Sequence, residues 1–233
     1  TPYPTLFPYT TLFRSLTGLA TFLILAILAV LLGNILLLGW DGLSWRFVIS
    51  GTEQDMFDVD QAGVLPMIVG TAARVFLMTL VVLPVGVITA IYLTEYARNN
   101  SLLTRVIRGA VNNLAGVPSI VFGLFGLGFF ISFVGTHLDG FMRPGSQTPV
   151  WGKPGLLWAS MTLAVMTLPV VIVATEESLR AIPSGLREAS LALGATKLQT
   201  VVKIVLPQAL PGILTGGILA VSRAAGEVAP ILF

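Results

Sequence analysis

Long apolar stretches alternate with short polar segments along this chain. A helix that crosses a bilayer needs about 20 mostly apolar residues. Five stretches have that length: Leu16–Trp40, Val64–Tyr92, Val111–Val134, Leu156–Ala174 and Pro211–Leu232. Prolines within or at the edge of them predict either simple kinks or bent helices that line a pathway: Pro84, Pro118, Pro169 and Pro211. The pattern predicts an all-α fold, a polytopic bundle of membrane helices.

The charged residues between the stretches predict the orientation. Seven basic residues follow the second and fourth stretches: Arg98, Arg105, Arg108, Arg180, Arg187, Lys197 and Lys203. The other side has three: Arg46, Arg143 and Lys153. Because cytoplasmic loops carry the excess of lysine and arginine, we expect the first set, and the amino end of the first span, inside. The loop Asp41–Gln61, which contains Glu53, Asp55, Asp58 and Asp60, is expected outside.

Composition excludes several functional classes. Only 10% of the residues are charged and 55% are hydrophobic, whereas an ordinary soluble domain has about 25% charged residues. A net charge of +2 is too small to indicate nucleic-acid binding. The single histidine, His137, is expected in an outer loop, and cysteine is absent, so we predict no transition-metal site and no cofactor. Without a P-loop motif, the chain is not expected to bind ATP itself.

Both ends are expected to be cut. Residues Thr5–Ser15 match, codon by codon, the translation of a common short-read sequencing adapter, so residues 1–15 are interpreted as a non-native lead. The alternative is a genuine amphipathic or transit-like segment. The chain stops within the apolar run Ala229–Phe233, which predicts that the native sequence continues.

The segment Ser184–Ile213 predicts two short helices joined at a corner on the cytoplasmic side. Ser184 is a candidate N-cap for a helix to Leu193, and Gly194 can adopt the left-handed conformation that ends it. Thr196 and Gln199 form a Thr-x-x-Gln capping box, which starts a second helix to Pro207. Such a corner presents a surface to a partner, or it lies as an amphipathic helix on lipid.

This corner resembles the EAA loop of ABC-type importer permeases. Glu188-Ala189-Ser190, then Gly194, then Ile204-x-Leu206-Pro207 match the pattern EAA-x3-G-x9-I-x-LP at every specified position except Ser190, where alanine is usual. The resemblance implies a coupling loop, residues 184–207, that inserts into a groove of an ATPase subunit. Glu188, Ala189, Ser190 and Gly194 would be the docking residues. Ala189 and Gly194 would permit close approach, and Glu188 would pair with a basic residue of the ATPase.

Other segments are similar to the phosphate permease family, its PstA branch in particular. These are Ala115–Gly126, Ala90–Ala97, Leu163–Pro169, Thr175–Arg180 and Arg223–Pro230, with Val228 in place of the usual threonine. The resemblance covers residues 16–233, interpreted as one permease domain, and implies a sixth span beyond Phe233. It implies a PstB-like ATPase, a PstC-like second permease subunit and a PstS-like phosphate-binding protein. These would work with the chain in a bacterial or archaeal cytoplasmic membrane.

Ionisable residues within the spans are candidates for function. Arg223 and Glu227, spaced i, i+4, share a helix face and are costly in an apolar span. We predict that Arg223 contributes to a phosphate pathway and that Glu227 holds it; the alternative is a structural ion pair. Arg74 is expected to snorkel to the outer interface. Glu176 and Glu177 are expected to be solvated or paired with Arg180.

Three rival functions remain open at this point. An intramembrane serine hydrolase would need a buried histidine, but the single histidine, His137, is expected in an outer loop. A channel or secondary carrier would have no use for an EAA-type corner. Within the family, a permease for sulfate or molybdate, or a PstC-type subunit, would show similar features.

Overall fold

The computed structural model describes residues 8–51, 63–98, 101–145 and 148–228, with side chains from Leu12 onward. The described ranges contain helices and no β-strand. The α-helices are α1 Pro8–Gly39, α2 Trp45–Ile49, α3 Leu65–Ile91, α4 Leu102–Ala115, α5 Ser119–Phe125, α6 Thr136–Met142, α7 Leu156–Arg180, α8 Ser184–Ala192, α9 Lys197–Thr200 and α10 Leu206–Gly226. π-helical turns extend α3 over Tyr92–Tyr96, join α5 to α6 over Gly126–Gly135 and join α9 to α10 over Val201–Val205.

Five helical segments are long and apolar enough to cross a membrane, which confirms the predicted all-α class. They are Leu12–Gly42, Leu65–Tyr96, Ser119–Met142, Leu156–Arg180 and Lys197–Gly226. The chain divides into two compact units, Thr1–Ile68 and Val69–Phe233. The acidic residues Glu53, Asp55, Asp58 and Asp60 lie outside the described residues, as does the terminal run Ala229–Phe233.

The first unit is dominated by α1. Its 32 residues span about 48 Å at 1.5 Å per residue, and none of its most apolar window is buried within the chain. The short helix α2 begins after Ser44, whose hydroxyl accepts a hydrogen bond of 3.1 Å from the amide of Phe47. Residues 1–7 of the predicted non-native lead lie outside the described residues, and α1 includes the rest, so the origin of the lead stays a prediction.

The second unit is built around α7. More than half of its most apolar window is buried, against a third or less for each other span. Small residues bring α10 close to it, since a Cβ atom on Gly216 would lie 2.5 Å from the Cβ of Ala174. Towards the end of the bundle that the sequence predicts to be cytoplasmic, which we call the inner end, a core forms from residues of α3, α7, α10 and the segments that adjoin them: Ala90, Leu93, Ile172, Leu179, Ile182, Val205, Ala209 and Ile213.

The predicted third span, Val111–Val134, has the wrong boundaries. Its first residues belong to α4, a separate helix that ends at Ala115, and the span itself runs from Ser119 to Met142. The break coincides with Pro118, since proline disfavours the helical conformation in the residue before it. His137 therefore lies in α6, at the end of this span, and not in an outer loop.

The predicted fifth span, Pro211–Leu232, begins too late. The structure has one continuous helical segment, Lys197–Gly226, so the second helix of the corner does not end at Pro207. The π turn Val201–Val205 ends two residues before that proline. A wider turn accommodates the missing amide of a proline without a break. The other internal prolines, Pro84, Pro169 and Pro211, also lie within continuous helices.

Candidate coupling corner and candidate pathway residues

The turn between α8 and α9 contains the left-handed glycine that the sequence predicts at the end of the first helix. Gly194 has a φ of +85°, the left-handed conformation that an L side chain disfavours. The amide of Gly194 donates to the carbonyl of Leu191 at 3.0 Å, and the amide of Ala195 donates to that of Ser190 at 3.2 Å. These bonds use carbonyls that the end of α8 would otherwise leave free.

Of the two helix caps predicted for the corner, the structure confirms one and contradicts the other. The capping box is confirmed: the amide of Gln199 donates to the Thr196 hydroxyl at 3.2 Å, and the amide of Thr196 donates to the Gln199 side chain at 2.9 Å. The prediction of Ser184 as an N-cap is wrong, because Pro183 occupies that position and Ser184 is the first residue of α8. Proline has a fixed φ and needs no amide partner, which suits it to a helix start.

The outer surface of the corner is exposed and carries most of the predicted docking residues. Glu188, Ala189 and Gly194 are exposed, and no cation of the described residues lies within salt-bridge distance of Glu188. Leucines of the same corner are also exposed, with Leu193 89% exposed and Leu198 64% exposed. The corner therefore carries an unpaired carboxylate and exposed apolar side chains.

Ser190 differs from the other predicted docking residues because its side chain is turned into the corner. It is half-buried, and its hydroxyl lies 2.9 Å from that of Thr200. The hydroxyl that replaces the usual methyl group thus joins α8 to α9.

Arg187 binds the inner surface of the corner to the rest of the bundle. In the sequence it served only as one of the basic residues that predict the orientation. Its Nε and Nη2 atoms donate to the Glu95 carboxylate at 3.0 and 2.8 Å. Its Nη1 donates to the carbonyl of Ile182 at 2.8 Å, and Nη2 to that of Leu179 at 2.7 Å. The pair is separated by 92 positions, so no local spacing could have revealed it.

Glu176 is the centre of a second ionic cluster at the inner end of α7. Its carboxylate accepts from Arg180 at 2.8 Å, which is one of the two alternatives that the sequence left open, and also from Arg108 of α4 at 3.0 Å. Its side chain is 11% exposed. The neighbouring Glu177 is exposed, so the two adjacent carboxylates have different environments.

Arg223 and Glu227 lie close together but are loosely paired. The Arg223 Nε and Glu227 Oε1 atoms are 3.8 Å apart, beyond hydrogen-bond distance. Glu227 follows the end of α10 at Gly226, so the pair does not share one continuous helix face as predicted. Arg223 lines a cleft of about 320 Å³ together with Glu177, Pro169 and residues of α4 and α5.

The prediction that Arg74 snorkels to the outer interface is wrong, because its side chain is buried within the chain. It is 9% exposed, and its Nε atom has no hydrogen-bond partner in the structure. It continues the buried face of α3 that includes Met78 and Val82, where Met78 Sδ accepts from the Thr167 hydroxyl at 3.4 Å. Within the described residues, no group of three or more metal-ligating side chains was found.

Comparisons with known proteins agree on the class of this chain. Residues 82–233 match the family model described as binding-protein-dependent transport system inner membrane component. A probable ABC transporter permease protein, YqgI of Bacillus subtilis, is 34% identical over 93% of this chain and 67% of its own length. The phosphate transport system permease protein PstA 1 of Mycobacterium tuberculosis is 36% identical over 83% of this chain. The chain spans only 56% of that relative's length.

A solved structure also resembles the chain. A subunit of the MetNI methionine ABC transporter, in an inward-facing conformation, has a TM-score of 0.53 and 30% identity. The match covers 70% of this chain and 68% of that subunit.

Proposed function

This chain belongs to the family of binding-protein-dependent transport system inner membrane components, and we propose that it is the PstA-type permease subunit of an ATP-driven phosphate importer. The observation that carries the coupling role is the corner between α8 and α9. It presents Glu188 unpaired among exposed leucines, while the side that faces the bundle is held by hydrogen bonds.

The surface of the corner supports the proposed ATPase partner, and the similarity to PstA proteins supports the other two. A PstB-like ATPase subunit would cover Leu193 and Leu198 and would offer a basic residue to Glu188, since a buried carboxylate needs a partner. Hydrolysis of ATP would take place in that subunit, and this chain would act as a transport subunit and not as an enzyme. A PstC-like chain would complete the pathway, and a PstS-like protein would deliver phosphate at the outer face of the cytoplasmic membrane.

The choice of phosphate as the substrate is supported by sequence similarity to PstA relatives more than by the fold. The resemblance to a methionine transporter subunit indicates that one architecture serves different substrates. Sulfate and molybdate, which are also tetrahedral oxyanions, are therefore the alternative substrates. Arg223 remains our candidate for a cationic group in the pathway because a guanidinium binds oxyanions in a bidentate manner.

Uptake measurements test the function. The complete reading frame would be expressed with its own partner subunits in cells that lack their phosphate importer, and uptake of phosphate and sulfate would be compared. We expect phosphate uptake, and we expect Glu188→Lys to abolish it by placing a like charge against the ATPase. Ser184→Ala is the matched control, since Ser184 is exposed on the same helix and makes no capping bond.

The outcomes separate the alternatives. Sulfate uptake without phosphate uptake would keep the family and overturn the substrate. Full phosphate uptake by Glu188→Lys would overturn the docking role of the corner. Capture of the ATPase by the wild-type chain, and its loss in Glu188→Lys, would locate the defect at the corner.

A further inference from the structure

Basic side chains from three elements converge on the π turn Tyr92–Tyr96, which we call the inner turn. Arg187 of α8 binds the Glu95 carboxylate. Lys197 of α9 places its Nζ atom 5.1 Å from the ring centroid of Tyr96. Arg108 of α4 donates through Nη2 to the carbonyl of Leu93 at 3.3 Å. The inner turn, at the end of α3, is thus the common contact of both helices of the corner and of α4.

The bond between Arg187 and Glu95 is the most protected of these contacts. The Glu95 side chain is 9% exposed and that of Arg187 is 20% exposed. Two donor atoms of one guanidinium bind the same carboxylate oxygen, and hydrogen bonds between charged groups are stronger than neutral ones. Burial also reduces screening by salt. The pair therefore holds α8 against the inner turn more firmly than an exposed contact would.

The same guanidinium also contacts the end of α7. The carbonyls of Leu179 and Ile182, which accept from Arg187, lie where α7 ends and the chain turns towards α8. Carbonyl groups at a helix end lack partners within the helix and carry partial negative charge. Arg187 thus fixes the corner to the inner ends of α3 and α7 at once, through four hydrogen bonds.

We propose that the Arg187–Glu95 pair is the joint through which a displacement of the docking corner is passed to α3, with Lys197 on Tyr96 as a weaker second contact. This inference rests on the proposed function of the corner. Glu188, Ala189 and Gly194 face outward, whereas Arg187, next to Glu188, faces the bundle. A displacement of the exposed surface at Glu188 is therefore transmitted to the inner turn through the side chain of the adjacent residue, Arg187. Glu95 and Arg187 are positioning residues and need not contact the transported anion.

The test compares transport with ATP hydrolysis in the complete transporter, purified and reconstituted in liposomes with its binding protein. The variants are Glu95→Ala, Arg187→Ala and the double variant, and the readout is phosphate moved per ATP hydrolysed. We expect each single variant to lower this ratio about 5- to 150-fold, the range typical of coupling between sites, while hydrolysis continues. In the Arg187→Ala background, Glu95→Ala should have no further effect, because its partner is already absent.

The matched control is Arg105→Gln, which also removes one inner positive charge. Arg105 is exposed on α4 and pairs with no carboxylate of the described residues, so its ratio should equal that of the wild type. If Glu95→Ala prevents assembly, Arg187→Ala, which removes the donors and leaves Glu95 in place, is used alone in the same measurement. A wild-type ratio in an assembled Glu95→Ala or Arg187→Ala variant, or additive losses in the double variant, would overturn the joint.

Failure of the proposed substrate is distinguishable from failure of the joint. A wild-type transporter that moves sulfate or molybdate but no phosphate contradicts the proposed substrate, and the ratio is then measured with the anion that is moved. A wild-type transporter that moves phosphate, with unchanged ratios in all Glu95 and Arg187 variants, contradicts the joint alone.

Discussion

At the residue scale, Gly194 shows how one backbone conformation shapes the exposed corner between α8 and α9. Its φ of +85° is needed to end α8 and to direct the chain into α9. A Cβ atom at this position would meet open space, so substitution affects the backbone conformation and not the packing.

We therefore expect Gly194→Ala to destabilise the corner by about 1 to 2 kcal/mol, the cost of the left-handed conformation for an L residue. Hydrogen exchange at the amide of Ala195, which is bonded to Ser190 in the turn, would measure the local opening. Gly185→Ala is the matched control: Gly185 lies in α8, has open space around it and no positive φ. There alanine should be neutral or stabilising. Equal acceleration of exchange in both variants would contradict the explanation.

Arg187 and Ser190 show that adjacent residues of one motif can have different roles. Glu188 is exposed, while Arg187 before it and Ser190 after it bind within the chain. Spacing predicted a docking motif, but it could not distinguish the residues that contact a partner from those that hold the motif in place. That distinction depends on which side of α8 faces the inner turn.

At the scale of elements, Glu176 joins α4 to α7. α4 carries Arg108 on the side that faces α7, and the Glu176 carboxylate accepts from Arg108 and from Arg180. Sequence reasoning placed α4 partly within the third span because its apolar residues continue into those of α5. The arginines at 105 and 108 and the break before Ser119 make it a separate helix.

We expect Glu176→Ala to destabilise the second unit by about 1 to 3 kcal/mol, because it leaves two arginine side chains without their carboxylate. Partial exposure of Arg108 and Arg180 places the expected value at the lower end. Chemical denaturation in detergent would measure the change. Glu177→Ala, the adjacent exposed carboxylate, is the control and should change the free energy of unfolding by less than about 0.5 kcal/mol. An equal effect of the two substitutions would contradict the role of the cluster.

At the scale of the whole molecule, the ionic contacts of the described residues, apart from the loose pair of Arg223 and Glu227, lie near the carboxyl ends of α3 and α7. They are Arg187 with Glu95, and Glu176 with Arg108 and Arg180. Such groups are costly in the middle of a membrane. Their position favours a membrane boundary at these helix ends, and the cytoplasmic side of that boundary stays a prediction.

The cleft lined by Arg223 provides a prediction about transport. We expect Arg223→Gln to abolish phosphate uptake while the ATPase is still captured, because the substitution removes a fixed cation but keeps a polar side chain. Arg223→Lys keeps the charge without the planar fork and should retain part of the uptake. Radiolabelled phosphate uptake and co-purification of the ATPase would be measured for both. Normal uptake by Arg223→Gln would contradict a role of Arg223 in the pathway and would favour the alternative, a structural ion pair with Glu227.

The amino-acid sequence by itself determined the features that depend on neighbours along the chain. Span composition, the glycine turn at Gly194 and the capping box of Thr196 and Gln199 arise from residues a few positions apart, where the local rules of helices apply. The family resemblance likewise rests on short motifs with set spacings.

Only the tertiary structure decided which distant side chains meet. Glu95 and Arg187 are 92 positions apart, and Arg108 and Glu176 are 68 apart. Their pairing depends on how α3, α4, α7 and α8 pack, and the apolar pattern of a membrane helix does not specify a rotation about its axis when every side is apolar. For the same reason the sequence predicts that Arg74 snorkels to the outer interface, whereas the structure buries it among the packed residues of α3. Long-range packing therefore connects the corner that carries the motif to the end of α3 through Arg187 and Glu95.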